Sequence, residues 1–197
     1  MDYSLKNLNF EKNFLDIGTG DGRYVYKSAL LNPQSLYIGI DPASNLKEYQ
    51  REINRKKVNN AILINSSIEN FNPDLNDFFD EITIILPWGN LLKYVVTVDT
   101  DFFTKISIWL KKNGKIKIIF GFNEEFEEKE TKRLGLPELN EKEISYIFEN
   151  YKNLKNLKLL EFRETTPKDL RDFETTWAKK LSFGANRKYI YIELKNV

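Results

Sequence analysis

The sequence predicts an α/β fold in which a mostly parallel sheet carries helices on both faces. Two observations lead there. Short apolar runs alternate with longer amphipathic stretches along most of the chain, which is the pattern of strand–helix–strand units. A glycine-rich turn also follows the first of those runs directly and opens a helix-like segment.

Taken in order, Phe14 to Ile17 reads as a short buried strand and Asp21 to Leu31 as a helix. The helix stops near Asn32-Pro33, because proline has no amide hydrogen and restricts the residue before it. Leu36 to Ile40 is the next strand, closed by Asp41-Pro42. Ala43 to Lys57 is a charged helix and Ala61 to Asn65 a third strand. Glu81 to Leu86 is strongly β-prone and ends at Pro87-Trp88-Gly89. Asp101 to Lys111 reads as a helix stopped by Asn113-Gly114, and Lys115 to Phe122 as a fifth strand. After Phe122 come two helices, Asn123 to Leu134 and Glu141 to Tyr151, separated by Gly135-Leu136-Pro137. A strand over Leu157 to Arg163, a helix over Lys168 to Leu181 and a final alternating strand over Lys188 to Leu194 complete the pattern. The expected sheet is seven-stranded, with right-handed crossovers between parallel neighbours and an antiparallel C-terminal strand. Residues 1–197 read as one domain with helical insertions at about 123–152 and 168–183.

Composition narrows the chemistry. Of 197 residues, 41% are hydrophobic and 30% charged, a globular balance. There is no Cys, hence no disulfide, thiolate nucleophile or thiolate metal site. There is no His either, which removes the commonest general base and metal ligand. No metal site is expected. Met1 to Phe10 lacks an apolar signal core, and no apolar run reaches membrane-spanning length. A cytoplasmic protein with no membrane partner is expected. The net charge of +1 means that nucleic-acid binding requires positive charge concentrated locally.

The strongest motif is Asp16-Ile17-Gly18-Thr19-Gly20-Asp21-Gly22-Arg23. Gly18, Gly20 and Gly22 let the backbone turn sharply and approach a ligand closely. Amides at the following helix start favour a negative or carbonyl-rich group. Asp41 ends the second strand, where an acid commonly accepts hydrogen bonds from ribose hydroxyls. Dinucleotide dehydrogenases carry G-x-G-x-x-G, whereas this loop reads G-x-G-x-G. Asp16, ahead of the first glycine, suits an ammonium group. That combination resembles motif I of class I S-adenosylmethionine (SAM) methyltransferases, whose ligand has an amino-acid end and a ribose but no pyrophosphate to cradle. A nicotinamide or other nucleotide, and a glycine turn without ligand, are the alternatives. Pro42 adjoins the ribose acid, and Ser67, Ile68 and Glu69 after the third strand are placed to meet an adenine.

Two aromatic features follow. Pro87-Trp88-Gly89 lies at the end of the fourth strand, on the side where ligands of open α/β sheets bind. Trp88 there is either a stacking platform for a flat base or a core or lid residue. Late in the chain, Trp177 precedes Lys179, Lys180 and Arg187. That mixture suits base stacking with phosphate neutralisation, although the segment taken alone favours an amphipathic helix with Trp177 and Leu181 facing inward and its lysines solvated.

Together these segments resemble the aminoglycoside-resistance 16S ribosomal RNA methyltransferases of the kanamycin–apramycin type, which modify adenine 1408 at N1. The matching residues are Leu15 to Arg23, Tyr37 to Pro42, Leu86 to Gly89, Gly135 to Pro137 and Trp177 to Gly184. The resemblance covers nearly the whole chain. It implies a Rossmann-like class I methyltransferase fold, SAM as methyl donor with S-adenosylhomocysteine as product, and the 30S subunit, at helix 44 of 16S rRNA, as partner. It implies that Trp88, beside Pro87, and Trp177 sandwich a flipped adenine, that Arg187 helps hold it, and that Thr175 lies in the loop closing over it. Arg51, Arg55, Lys56 and Lys57 fall where the family places a phosphate-contacting cluster, which Arg133, Lys179 and Lys180 would widen. The chain departs from the family in a short segment before Asp16, which leaves less room for an N-terminal hairpin, and in a weakly basic Gly184 to Arg187.

The absence of His is no obstacle to this chemistry. Adenine N1 carries an in-plane lone pair and needs no prior deprotonation, so the enzyme contributes proximity and orientation. A monomer is expected for so large a substrate. The runner-up enzyme is a transfer-RNA guanine-N7 methyltransferase, which shares the fold and a similar glycine loop. A non-catalytic SAM- or RNA-binding module is the alternative from another class.

Overall fold

A computed structural model describes residues 9–42, 46–122, 124–165 and 189–197. The elements follow in the order β1 (Lys12–Ile17), α1 (Arg23–Leu31), β2 (Ser35–Asp41), α2 (Lys47–Lys56), β3 (Ala61–Asn65), β4 (Phe79–Ile85), α3 (Asn90–Thr97), α4 (Thr100–Trp109), β5 (Leu110–Phe120), α5 (Glu124–Leu134), α6 (Glu141–Lys152), β6 (Leu157–Thr165) and β7 (Tyr189–Asn196). They form one seven-stranded sheet in the order β3-β2-β1-β4-β5-β7-β6. The first five strands are parallel, and β7 runs antiparallel to both β5 and β6.

Strands buried on both faces read as continuous apolar runs, and β2 shows how the two faces divide. Leu36, Ile38 and Ile40 enter the main core with α3, α4 and α6, through Leu92, Val95, Phe103, Ile106, Ile147 and Tyr151. Tyr37, one residue out of phase, joins a second core with Val25, Tyr26 and Ala29 of α1 and Tyr49 and Ile53 of α2. Helices therefore cover both faces, as expected. Beyond α1, on the α1 side, the sheet carries ion pairs instead: Lys117–Glu81 at 2.8 Å and Lys115–Glu193 at 2.7 Å.

The helix starts have local causes. Asp99 caps α4 by accepting from the Phe102 amide at 2.8 Å, and Asn140 caps α6 through the Glu143 amide at 3.0 Å. Such caps contribute about 1 kcal/mol each.

Two expectations are corrected. The helix expected over Asp101 to Lys111 ends at Trp109, and β5 begins at Leu110. Asn113-Gly114 is not a helix stop. Asn113 takes a φ of 67° inside β5, where the pairing with β4 jumps from Phe79↔Leu110 to Glu81↔Lys115. The glycine fits there because a Cβ would stand 2.9 Å from the Lys111 carbonyl oxygen and 3.1 Å from that of Phe79. The turn signal is thus an irregularity within a strand. Helix α3 was not anticipated at all. Its Leu91, Leu92, Val95 and Val96 are buried against the sheet, and packing overrides the strand preference of its valines. The helix expected over Lys168 to Leu181 lies outside the described residues.

Candidate active site

The carboxyl ends of β1, β2, β3 and β4 converge on one edge of the sheet. The glycine loop leaves β1 and is tied to β2. The Gly18 and Thr19 amides both donate to the Ile40 carbonyl, at 2.9 and 3.1 Å. The Gly20 amide donates to Asp41 Oδ2 at 2.9 Å. Gly18, Gly20 and Gly22 all have left-handed backbones, with φ of 77°, 65° and 83°. Their surroundings differ. A Cβ on Gly22 would stand 2.5 Å from the Leu63 side chain, whereas one on Gly20 would meet nothing within 4 Å. Gly22 therefore seats α1 on the sheet, and Gly20 borders open space beside a carboxylate.

Asp16 ends its strand in the interior, 4% exposed. Burial pushes its carboxyl up to about 6, and the nearby Asp41 charge adds to this, against the pull of the Thr19 and Thr83 hydroxyls. The Thr83 hydroxyl donates to Asp16 Oδ1 at 2.7 Å. A buried carboxylate at a cleft edge invites a cationic partner. A left-handed glycine facing open space, an anchored acid at the end of β2 and a buried acid at the end of β1 together fit a ligand with a ribose and an ammonium group.

The loop after β3 completes this edge. Ser67 is half-buried and its carbonyl accepts from the Asn70 and Phe71 amides, at 3.2 and 3.0 Å. The Ile68 side chain belongs to the main core, and its carbonyl accepts from Lys105 Nζ of α4 at 2.8 Å. Glu69 is exposed and accepts from Tyr94 OH at 3.1 Å and Asn90 Nδ2 at 3.4 Å, both on α3. Partial burial pushes the Glu69 carboxyl up, but its own amide, Ser67, Tyr94 and Asn90 together hold it below the usual carboxylate range. Pro42 is exposed beside Asp41.

After β4 the chain turns through Leu86 at a φ of 52°, and its amide bonds the Ile119 carbonyl at 2.8 Å. A left-handed leucine stores about 1–2 kcal/mol of backbone strain. Pro87 is buried, and Gly89, φ 61°, opens α3. Trp88 between them is 58% exposed. That exposure excludes a core role and leaves an aromatic face at the strand end.

Arg51, Arg55, Lys56 and Lys57 are exposed on α2 or its end, opposite the buried Tyr49 and Ile53. Arg55 is engaged by Glu52 at 2.6 Å, and Lys56 stands over the Tyr26 ring at 5.6 Å. Arg133, on α5, is held by Glu130 at 2.7 Å. Thr175, Trp177, Lys179, Lys180 and Arg187 lie outside the described residues. Among the described residues no cluster of acids is placed to hold a metal.

Sequence reasoning missed Thr83, Asn90, Tyr94 and Lys105. Thr83 left a signal as the one polar residue in Ile82-Thr83-Ile84-Ile85. The other three left none, because the helices that bring them to the β3 loop could not be placed in space.

The strand order, the reversed β7 and the open glycine loop define a class I methyltransferase. The family described as 16S rRNA (adenine(1408)-N(1))-methyltransferase matches residues 2–196. A protein of that description from Escherichia coli is 31% identical over 191 residues, covering 93% of this chain and 86% of that one. The crystal structure of the aminoglycoside resistance methyltransferase NpmB1 superposes with a TM-score of 0.79 at 28% identity, over 96% of this chain and 89% of that one. A 16S rRNA (adenine(1408)-N(1))-methyltransferase W203A mutant from Catenulisporales acidiphilia, solved with SAM, gives a TM-score of 0.77 at 26% identity, over 96% and 87%. A tRNA (guanine-N(7)-)-methyltransferase from Mycoplasmopsis pulmonis is 31% identical, but over 58% of this chain and 60% of that one. The chain belongs to the 16S rRNA (adenine(1408)-N(1))-methyltransferase family and is a SAM-dependent methyltransferase.

Proposed function

We propose that this enzyme methylates N1 of adenine 1408 of 16S rRNA in assembled 30S subunits, as a monomer working through one domain, and so confers aminoglycoside resistance. The observation that carries the base-handling part of the reading is Trp88, exposed on a strained turn at the end of β4, the strand paired with the one that feeds the glycine loop. Family membership over residues 2–196 supports the substrate.

SAM, when bound, supplies an electrophilic methyl group. Every other requirement falls on the chain. Asp16 holds the amino group and Asp41 the ribose, while Gly18, Thr19, Gly20 and Gly22 let the backbone close around them. Pro42, Ser67, Ile68 and Glu69 border the adenine. Thr175 would belong to the loop that the resemblance implies closes over the base. Trp88, braced by Pro87, takes one face of the flipped adenine and Trp177 the other, with Arg187 holding the nucleotide. Stacking offsets the few kcal/mol of extruding the base. The product ring is cationic, and two indole faces stabilise that charge as it develops. No proton has to leave N1 before attack, so no residue acts as general base and none near neutrality is needed. Arg51, Arg55, Lys56, Lys57, Arg133, Lys179 and Lys180 meet phosphates.

Trp88→Ala and Trp177→Ala should each lower methyl transfer to 30S subunits by about tenfold or more, since base–aromatic stacking contributes roughly 1–3 kcal/mol. Calorimetric SAM affinity should survive in both. Full transfer activity in either variant would remove that tryptophan from the clamp.

One observation favours a second reading: the partial match to a tRNA guanine-N7 enzyme. Transfer to naked tRNA with none to 30S subunits would establish it.

A further inference from the structure

We infer that Thr83 is a positioning residue for the cofactor: its hydroxyl reaches across the sheet to the Asp16 carboxylate and holds that group charged and oriented for the amino end of SAM. The inference rests on the reading of Asp16 as the partner of that amino group.

Parallel pairing of β1 with β4 sets Asp16 directly opposite Thr83, so both side chains leave the same face. Thr83 is 3% exposed and Asp16 4%. A position this deep in a parallel sheet ordinarily takes Val or Ile, and threonine keeps the β-branched shape while adding one donor. That donor has one proton and two acceptors within reach, Asp16 Oδ1 at 2.7 Å and the Leu15 carbonyl at 3.5 Å. The shorter bond to the ionised group dominates.

The surroundings make the bond consequential. Asp41 of β2 adds like charge near Asp16, and the buried Thr19 hydroxyl of the glycine loop makes no hydrogen bond among the described residues, which leaves Thr83 as the side-chain donor to that carboxylate. From α1, Tyr24 approaches with its phenol pushed well up by burial and by Asp16 and Glu81, so it stays neutral. Glu81 of β4 is neutralised by Lys117 of β5 at 2.8 Å. Among the described residues no cation is placed against Asp16, and burial has already raised its carboxyl to about 6. Ionisation there depends on the Thr83 hydroxyl until the ligand's ammonium arrives. Loss of one hydrogen bond to a charged group moves a protonation equilibrium by about tenfold.

SAM affinity measured by calorimetry across about pH 5.5 to 7.5 tests this, a window below the α-amino titration. In the unaltered enzyme affinity falls as pH drops through about 6, because protonated Asp16 cannot pair with an ammonium group. In Thr83→Val the fall moves to higher pH, so binding is about fivefold weaker at pH 6 and approaches the unaltered value near pH 7.5. Thr83→Ser restores the original curve. Thr83→Ser against Thr83→Ala repeats the comparison with the methyl group removed from both, should the valine variant fold poorly. A Thr83→Val curve that superimposes on the original, or is lower by one factor at every pH, overturns the positioning role. Asp16→Asn separates the two levels. If it binds SAM as tightly as the unaltered enzyme, the ammonium reading falls and the Thr83 role with it. If it binds weakly while Thr83→Val is unchanged, the Thr83 role alone falls.

Discussion

Gly20 and Gly22 stand two residues apart in one loop, both left-handed, and perform different tasks. At Gly20 an added methyl meets no protein atom, so Gly20→Ala pays only for its backbone, about 1–2 kcal/mol. That protein should fold, melt a few degrees lower, and lose SAM binding if, as proposed, the open space the methyl enters is the cofactor's. At Gly22 the same methyl strikes Leu63, so the cost is about 3 kcal/mol or more, and the thermal midpoint should show it without any ligand. Equal melting behaviour in the two variants would contradict the assignment. The spacing of these glycines is legible in the sequence, as are Asp16 before them and Asp41 at the end of β2. Which glycine faces ligand and which faces Leu63 is not, because that depends on where β3 lies. Thr83 likewise appears in the sequence only as a polar residue in an apolar run. Its partner is fixed by the strand order, which places β4 rather than β3 beside β1.

Helix α2 presents Arg51 and Arg55 one turn apart on its exposed side, yet they are not equivalent. Glu52 already occupies Arg55 with two hydrogen bonds, at 3.2 and 2.6 Å, whereas no ion pair among the described residues engages Arg51. A phosphate must displace a carboxylate at Arg55 but no ion-pair partner among the described residues at Arg51. Arg51→Ala should therefore weaken 30S binding more than Arg55→Ala and reduce the salt dependence by about one counterion. Binding measured at several salt concentrations checks the order, and a larger loss at Arg55 would reverse it. The basic character of α2 is plain from composition, but the intrahelical pairing that discounts part of it depends on rotamers. The loop after β3 shows the same limit at larger scale. Ser67, Ile68 and Glu69 were expected to meet adenine as an isolated segment. In the structure Lys105 of α4 and Asn90 and Tyr94 of α3 grip that loop, so α3 joins it to the turn carrying Trp88. Helix α3 escaped prediction because its β-branched Val95, Val96 and Thr97 are poor helix formers, and the apolar face it buries makes it a helix. The Asn113-Gly114 irregularity misled for a related reason: a turn signal within a strand looks the same as one that ends a helix.

For the whole molecule, the alternation of strands and helices carried the fold class, and the seven-stranded sheet follows it closely. Alternation does not fix strand order, nor that β7 inserts between β5 and β6. The substrate was legible through resemblance alone, since nothing in a net charge of +1 or in the exposed Trp88 distinguishes 30S subunits from another RNA. The central claim is a methyl group placed on N1 of one decoding-site adenine without a general base. It is tested most directly by labelled-methyl transfer from SAM to unmethylated 30S subunits, with the product mapped by reverse transcription. The account predicts label in 16S rRNA and a stop at adenine 1408, because N1 methylation blocks base pairing. Label confined to naked tRNA, or transfer to 16S rRNA without that stop, would contradict it.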